Sequence, residues 1–176
     1  MSNTIPGLAV LSHGLESGPE ATKVSALAAV AEKQGWETLR PDYRDLDRRG
    51  LEDAAAPRLQ RLLSQLPENR PLLLVGSSFG AFISAWASLE RRPCGLFLIA
   101  TPPGLPGQER TFAMAKGIPT MLVHGWQDEI CPVDQAIRIA AEYAADLLIL
   151  PDGHRLATQV SRIAAAFDTF LRSVSK

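Results

Sequence analysis

"LLLVGSSFGAFISAWASL", residues 72–89, opens with four apolar residues, stops at Gly-Ser-Ser-Phe-Gly and turns helix-like at once. A short continuous apolar run ending in glycine suits a strand covered on both faces. The spacing Gly76-x-Ser78-x-Gly80 suits a tight strand-to-helix corner. A serine at such a tip has strained backbone angles, and side chains two residues to either side would collide with strand or helix. Ser77 has no glycine pair at that spacing. The five-residue pattern arises often by chance, and its weight comes from "LLLV" before it and "FISAWASL" after it. An ordinary turn serine is the alternative. If Ser78 is instead a nucleophile, other segments must supply a base and an acid.

Similar apolar runs recur at 8–12 (LAVLS), 37–41 (ETLRP), 71–76 (PLLLVG), 95–100 (GLFLIA), 120–125 (TMLVHG) and 146–151 (DLLILP). ETLRP is the weakest and reads as a half-buried or edge strand. Helical stretches lie between them. Residues 19–34 begin with Pro19, a residue tolerated in a first helical turn, and stop at Gly35. Residues 52–66 put Leu59, Leu62, Leu63 and Leu66 on one face. Residues 79–91, 133–145 and 156–173 also follow the helical period. Strands alternating with helices imply βαβ units and right-handed crossovers. The expectation is one α/β domain over 1–176, with about six mostly parallel strands and helices on both faces.

Ligands of such sheets bind beyond the carboxyl ends of the strands. Those ends read "SHGLESG", "GSSFG", "HGWQDEICP" and "LPDGHR". A serine hydroxyl needs a base to take its proton, and histidine is the usual one. His154 follows the last strand on a short loop beside Gly153, free to reach Ser78. His13 and His124 sit within strand–loop corners and read as structural. Asp128, three residues after His124-Gly125, is the expected acid, holding His154 in one tautomer. Glu129 and Asp134 are the other acidic residues nearby, Asp134 better suiting a helix N-terminus. Asp152 is too close in sequence to orient His154. An oxyanion hole needs two donors, assigned to the backbone N–H groups of Phe79 and Leu15.

Composition narrows the classes. At 46% hydrophobic, 21% charged and net charge −1, the chain reads as globular, with no basic stripe for nucleic acid or an anionic membrane. No apolar run approaches the ~20 residues of a membrane span. The N-terminus lacks the basic and apolar regions of a signal peptide, so the expected location is cytoplasmic. Cys94 and Cys131 lack CxxC spacing and are expected to be reduced. No histidine has a second histidine or a cysteine three or four residues on, so no metal is expected. No organic cofactor is expected either, since GxGxxG and GxxxxGK[ST] are both missing after the first strand.

These residues together resemble the α/β-hydrolase superfamily: "SHG" after the first strand, "GSSFG" at the elbow, "HGWQDEICP" at the acid loop and "DGH" at the base. The likeness covers nearly the whole chain and is similar to small esterase-type members, the short bacterial carboxylesterases and dienelactone-hydrolase-like proteins. Two departures stand out. The oxyanion loop carries a single His-Gly rather than a glycine-rich stretch, and Cys131 stands before Pro132 where valine is frequent. The resemblance implies a Ser-Asp-His order of Ser78, Asp128 and His154.

Family caps fall where this chain has only residues 101–118, too few for a cap domain. The expectation is an open site rimmed by Leu15, Phe79, Trp126 and Phe112, suited to a small acyl group. Arg44 either reaches that rim or pairs with Asp42 or Asp47. The leading function is a serine hydrolase acting on small carboxylic esters or thioesters, with that small molecule as its substrate and no nucleic-acid or membrane partner. The rival is a non-catalytic hydrolase-fold module that binds a small ligand or a protein. All three reactive residue types standing in place weighs against that rival.

Overall fold

A computed structural model describes residues 7–107 and 111–175. Six strands form one sheet: β1 (Leu8–Ser12), β2 (Glu37–Leu39), β3 (Leu72–Ser77), β4 (Gly95–Ile99), β5 (Thr120–Gly125) and β6 (Asp146–Leu150). The order is β2-β1-β3-β4-β5-β6 and every pairing is parallel, so "mostly parallel" understated the regularity. β2 is the edge strand that its weak apolar pattern foretold. Its three residues fall short of the five expected, because pairing with β1 ends at Leu39.

Among the described residues six α-helices flank the sheet: α1 (Thr22–Lys33), α2 (Arg44–Asp47), α3 (Leu51–Gln65), α4 (Phe79–Glu90), α5 (Val133–Tyr143) and, after the last strand, α6 (Val160–Val174). Alternation along the strands sorts the core into two layers. Val10, Leu72, Leu74, Leu96, Leu98 and Leu122 face α3, α4 and α5. Ala9, Leu11, Leu73, Val75, Phe97 and Ile99 face α1 and α6. α4 is buried from Phe79 through Ser88, which explains why its sequence is apolar nearly all round.

The start of the first helix differs from the expected one. α1 starts at Thr22 rather than Pro19, because the Ala21 N–H bonds to the Gly18 carbonyl at 3.0 Å. That closes a turn with Pro19 at its second position, where proline's fixed φ is favoured. The charged stretch around Asp45 forms the short α2, in which Leu46 is buried. Among the described residues, no helix is long and apolar enough to cross a membrane.

The strand order positions the site. From β1 the chain steps outward to β2, then returns across β1 to β3 and continues the other way. Neighbouring loops at such a reversal leave on opposite faces and open a crevice between them. Ser12 of β1 pairs in register with Gly76 of β3, so the loops after both strands start side by side.

Candidate active site

Ser78 caps β3 and starts α4 with φ 54 and ψ −118, in a region that costs a non-glycine residue strain. Its N–H is anchored to the Ile99 carbonyl at 2.8 Å. The bracketing glycines have separate reasons. A Cβ on Gly76 would lie 2.4 Å from the Gly80 carbonyl oxygen, and one on Gly80 would lie 2.1 Å from that of Ser12. The first lets α4 fold back on β3; the second lets α4 press against the end of β1.

Ser78 Oγ lies 2.8 Å from His154 Nε2, and His154 Nδ1 lies 2.8 Å from Asp128 Oδ2. His154 comes from the loop after β6, folded against the end of β5. A Cβ on Gly125 would meet the Asp152 and Gly153 carbonyl oxygens at 2.5 Å, so only glycine admits the base loop there. Asp152 fixes that loop from within, its Oδ1 accepting from the Gly153 N–H at 2.7 Å and its Oδ2 from the Thr158 N–H at 2.9 Å.

Asp128 is buried, and each carboxylate oxygen has two donors within reach. Oδ1 accepts the Ile130 and Cys131 amides at 2.9 and 2.8 Å. Oδ2 faces His154 and, at 3.3 Å, His124 Nε2. Burial by itself would raise this carboxyl's pKa. The hydrogen bonds from His154 and the Cys131 amide, aided by the two imidazoles, outweigh burial and hold it below the ordinary carboxylate value. Glu129 is exposed, and Asp134 lies in the first turn of α5 as its position foretold.

His13 and His124 both contact the machinery from below. His13 Nδ1 bonds to the Gly14 carbonyl at 2.7 Å while its Nε2 accepts the Tyr43 N–H at 3.0 Å. Only the neutral Nδ1–H tautomer satisfies both partners. Burial lowers its pKa, with the positive charge of Arg58 acting the same way. His124 Nε2 donates to the Cys131 carbonyl at 2.6 Å. The structural reading of His124 therefore misses its approach to the acid, a relation that sequence spacing does not show.

The N–H groups of Phe79 and Leu15 have no acceptor among the described residues. Phe79 opens α4, where first-turn amides are unpaired and the helix dipole is positive. Leu15 lies on the loop after β1, with Gly14 packed so closely that a Cβ there would sit 3.5 Å from Ser78 Cβ. Both residues, with Ser78 and His154, border a cleft of about 840 Å³.

The cleft walls differ from the expected ones. Phe112 is not among them; its ring packs edge-on against Phe82 at 6.0 Å and Tyr143 at 5.9 Å. Trp126 is also absent from the walls, standing 58% exposed on the acid loop. Residues 101–118 contribute Pro102, Pro103, Leu105 and Pro106 to the cleft, while Met114 is buried in the core. Leu51 and Ile130 extend this apolar wall; Lys23 and Arg155 stand on the α1 side. Arg44 pairs with Asp42 through three contacts of 2.6–3.1 Å and does not border the cleft.

Asp128, Cys131 and His154 present ligand atoms within 4.8 Å of one another. The Asp128 oxygens are engaged by N–H donors, and burial, with the charge of Asp128, pushes the Cys131 thiol up to about 12. Cys94 is a free cysteine as well.

The fold recurs in solved structures. A protein from Xanthomonas campestris pv. campestris, described as a hydrolase of the alpha/beta superfamily, is 40% identical over 95% of this chain and 99% of its own, with a TM-score of 0.90. Est1E from Butyrivibrio proteoclasticus is 17% identical over 96% of this chain and 88% of its own, with a TM-score of 0.74. A second Xanthomonas campestris protein, described as an α/β serine hydrolase without a lid, is 22% identical over 96% of this chain and 82% of its own, with a TM-score of 0.73. No protein-family model matches the sequence, and no curated protein matches it. With a 40%-identical relative aligned along nearly its whole length, and a six-stranded parallel sheet lacking a cap domain, the chain belongs to the alpha/beta-hydrolase superfamily.

Proposed function

We propose that this hydrolase-fold protein is a serine hydrolase that cleaves small carboxylic esters or thioesters through an acyl-enzyme. The observation that carries this reading is the continuous pair of 2.8 Å contacts from Ser78 through His154 to Asp128, ending on a serine held at positive φ. Ser78 Oγ attacks the substrate carbonyl while His154 Nε2 takes its proton. The oxyanion that forms accepts from the Phe79 and Leu15 amides, each worth a factor of about 10²–10³ in rate. His154 then passes the proton to the leaving alcohol or thiol, and the carbon–oxygen or carbon–sulfur bond breaks. Water, deprotonated by the same imidazole, attacks acyl-Ser78 and releases the acid. Asp128 keeps His154 in the tautomer that presents a bare Nε2 to the serine.

Size and polarity of the cleft support the substrate class. About 840 Å³ lies within the ~300–1,000 Å³ of small-molecule sites. The proline-rich wall suits an apolar acyl or alcohol group, and the site works without an organic cofactor. Two free cysteines suit a reducing cytoplasm.

The test is hydrolysis of p-nitrophenyl acetate, longer acyl homologues and matched thioesters by wild type and Ser78→Ala, with fluorophosphonate labelling of both. Turnover and a covalent adduct on Ser78, both lost in the variant, are expected. A wild type that neither labels nor turns over any of them hands the site to the ligand-binding reading. A fully active Ser78→Ala removes Ser78 as nucleophile.

A further inference from the structure

Arg58 sits in the middle of α3 and is completely buried, an expensive place for a charge. Asp47 partners it, with Nε 2.7 Å from Oδ1 and Nη2 on Oδ2. A buried ion pair is poor evidence for stability, since an apolar pair of similar volume often packs as well. The remaining donors of the guanidinium explain its presence better. Nη1 donates to the His13 carbonyl at 2.8 Å and Nη2 to the Gly14 carbonyl at 3.1 Å. Its planar face lies 4.3 Å from the Phe79 ring centroid and 4.5 Å from that of Tyr43.

We propose that Arg58 is the positioning residue of the oxyanion hole, holding both donor amides at once. This rests on the serine-hydrolase reading above. The Gly14 carbonyl and the Leu15 N–H belong to one planar peptide, and among the described residues no peptide is cis. In a trans peptide the two groups point in opposite directions. Gly14 O is drawn beneath the loop by Arg58 Nη2 and His13 Nδ1, so Leu15 N–H is turned the other way, toward the cleft that Gly14, Leu15 and Ser78 border. The second donor, Phe79 N–H, belongs to the residue whose ring rests on the same guanidinium. His13 bonds the Gly14 carbonyl from within the loop, and Arg58, from a distant helix, adds the contacts that tie both the His13 and the Gly14 carbonyls to one rigid group. Arg58 touches no substrate.

The test compares wild type, Arg58→Met and Arg58→Lys, using p-nitrophenyl acetate and phenylboronic acid. The boronic acid adds Ser78 Oγ to boron and places a tetrahedral hydroxyl in the hole. Arg58→Met is expected to lose about 100-fold in kcat, the scale of one lost donor, with KM within about threefold. Its boronic acid Ki is expected to rise by a factor matching the loss in kcat/KM. Arg58→Lys keeps the charge but not the fork, and is expected to recover part of both. If Arg58→Met does not fold, Arg58→Lys decides: a parallel loss of about 10-fold in kcat and boronic acid affinity, in a folded protein, upholds the proposal. Folded variants with lowered thermal stability but unchanged kcat and Ki would show a packing role and overturn it. A wild type that neither turns over ester nor binds the boronic acid overturns the esterase reading and this proposal together; an active wild type beside an equally active Arg58→Met overturns this proposal alone.

Discussion

His124 Nε2 lies 3.3 Å from Asp128 Oδ2, the same oxygen that His154 Nδ1 approaches at 2.8 Å. Two imidazoles thus converge on one carboxylate oxygen, one from the strand beneath and one from the loop above. The His124 proton is shared with the Cys131 carbonyl at 2.6 Å, which ties the acid loop back on itself.

Replacing His124 with phenylalanine keeps the ring and removes the donor. An unmet buried acceptor costs about 1–3 kcal/mol, and here the cost falls on the group that orients the base. The expected result is a kcat lower by about 10–100-fold with little change in KM, plus a lower melting temperature. Steady-state kinetics and a thermal melt check it together. A lower melting temperature with intact kcat would confine His124 to holding the loop.

Gly80 faces backbone, not a side chain that can swing aside. A Cβ there would lie 2.1 Å from the Ser12 oxygen and 2.6 Å from the His13 oxygen. Gly80→Ala is expected to destabilise by about 3 kcal/mol, the upper end for overpacking. Gly104→Ala, where a Cβ would meet nothing within 4 Å, serves as the control. Urea unfolding midpoints decide; equal midpoints for the two variants would mean the end of β1 yields to α4.

His13 predicts a pH effect on stability. Its pKa is below the ordinary 6.5, first through burial and then through Arg58, against the raising influence of the Gly14 carbonyl, Asp47 and Asp42. Above about pH 6.5 neither folded nor unfolded chain holds the extra proton. Below it the unfolded chain binds one and the folded chain does not, so this contribution to stability shrinks as pH falls. The slope is at most about 1.4 kcal/mol per pH unit. Urea unfolding at pH 7.5 and 5.5 should show a larger loss for wild type than for His13→Gln. An equal loss in both would mean His13 accepts a proton in place.

Much of this site was legible because its chemistry demands particular residues at particular chain positions. A positive-φ corner needs glycines beside it, so Gly76 and Gly80 mark Ser78 without any structure. Strand ends mark where His154 and Asp128 must emerge. Phe112 was misplaced for an equally plain reason: an aromatic in a loop near motifs has no periodicity to say which way it faces, and Phe82 and Tyr143 claimed it. Trp126 gave no signal separating an exposed ring from a cleft wall.

Arg58 was illegible for a deeper reason. In sequence it is one arginine among many, on the helix whose leucines at 59, 62, 63 and 66 mark the apolar face. Local patterning marked the six strands, most of the helices between them and the strand ends that carry Ser78, Asp128 and His154, because periodicity and turn chemistry act over a few residues. Only the tertiary structure decided that α3 would cross beneath the loop after β1, bringing a guanidinium to the Gly14 carbonyl 44 residues away. A buried charge is tolerated where it is paired and hydrogen-bonded, and for Arg58 the partners Asp47, His13 and Gly14 come together only once the chain has folded.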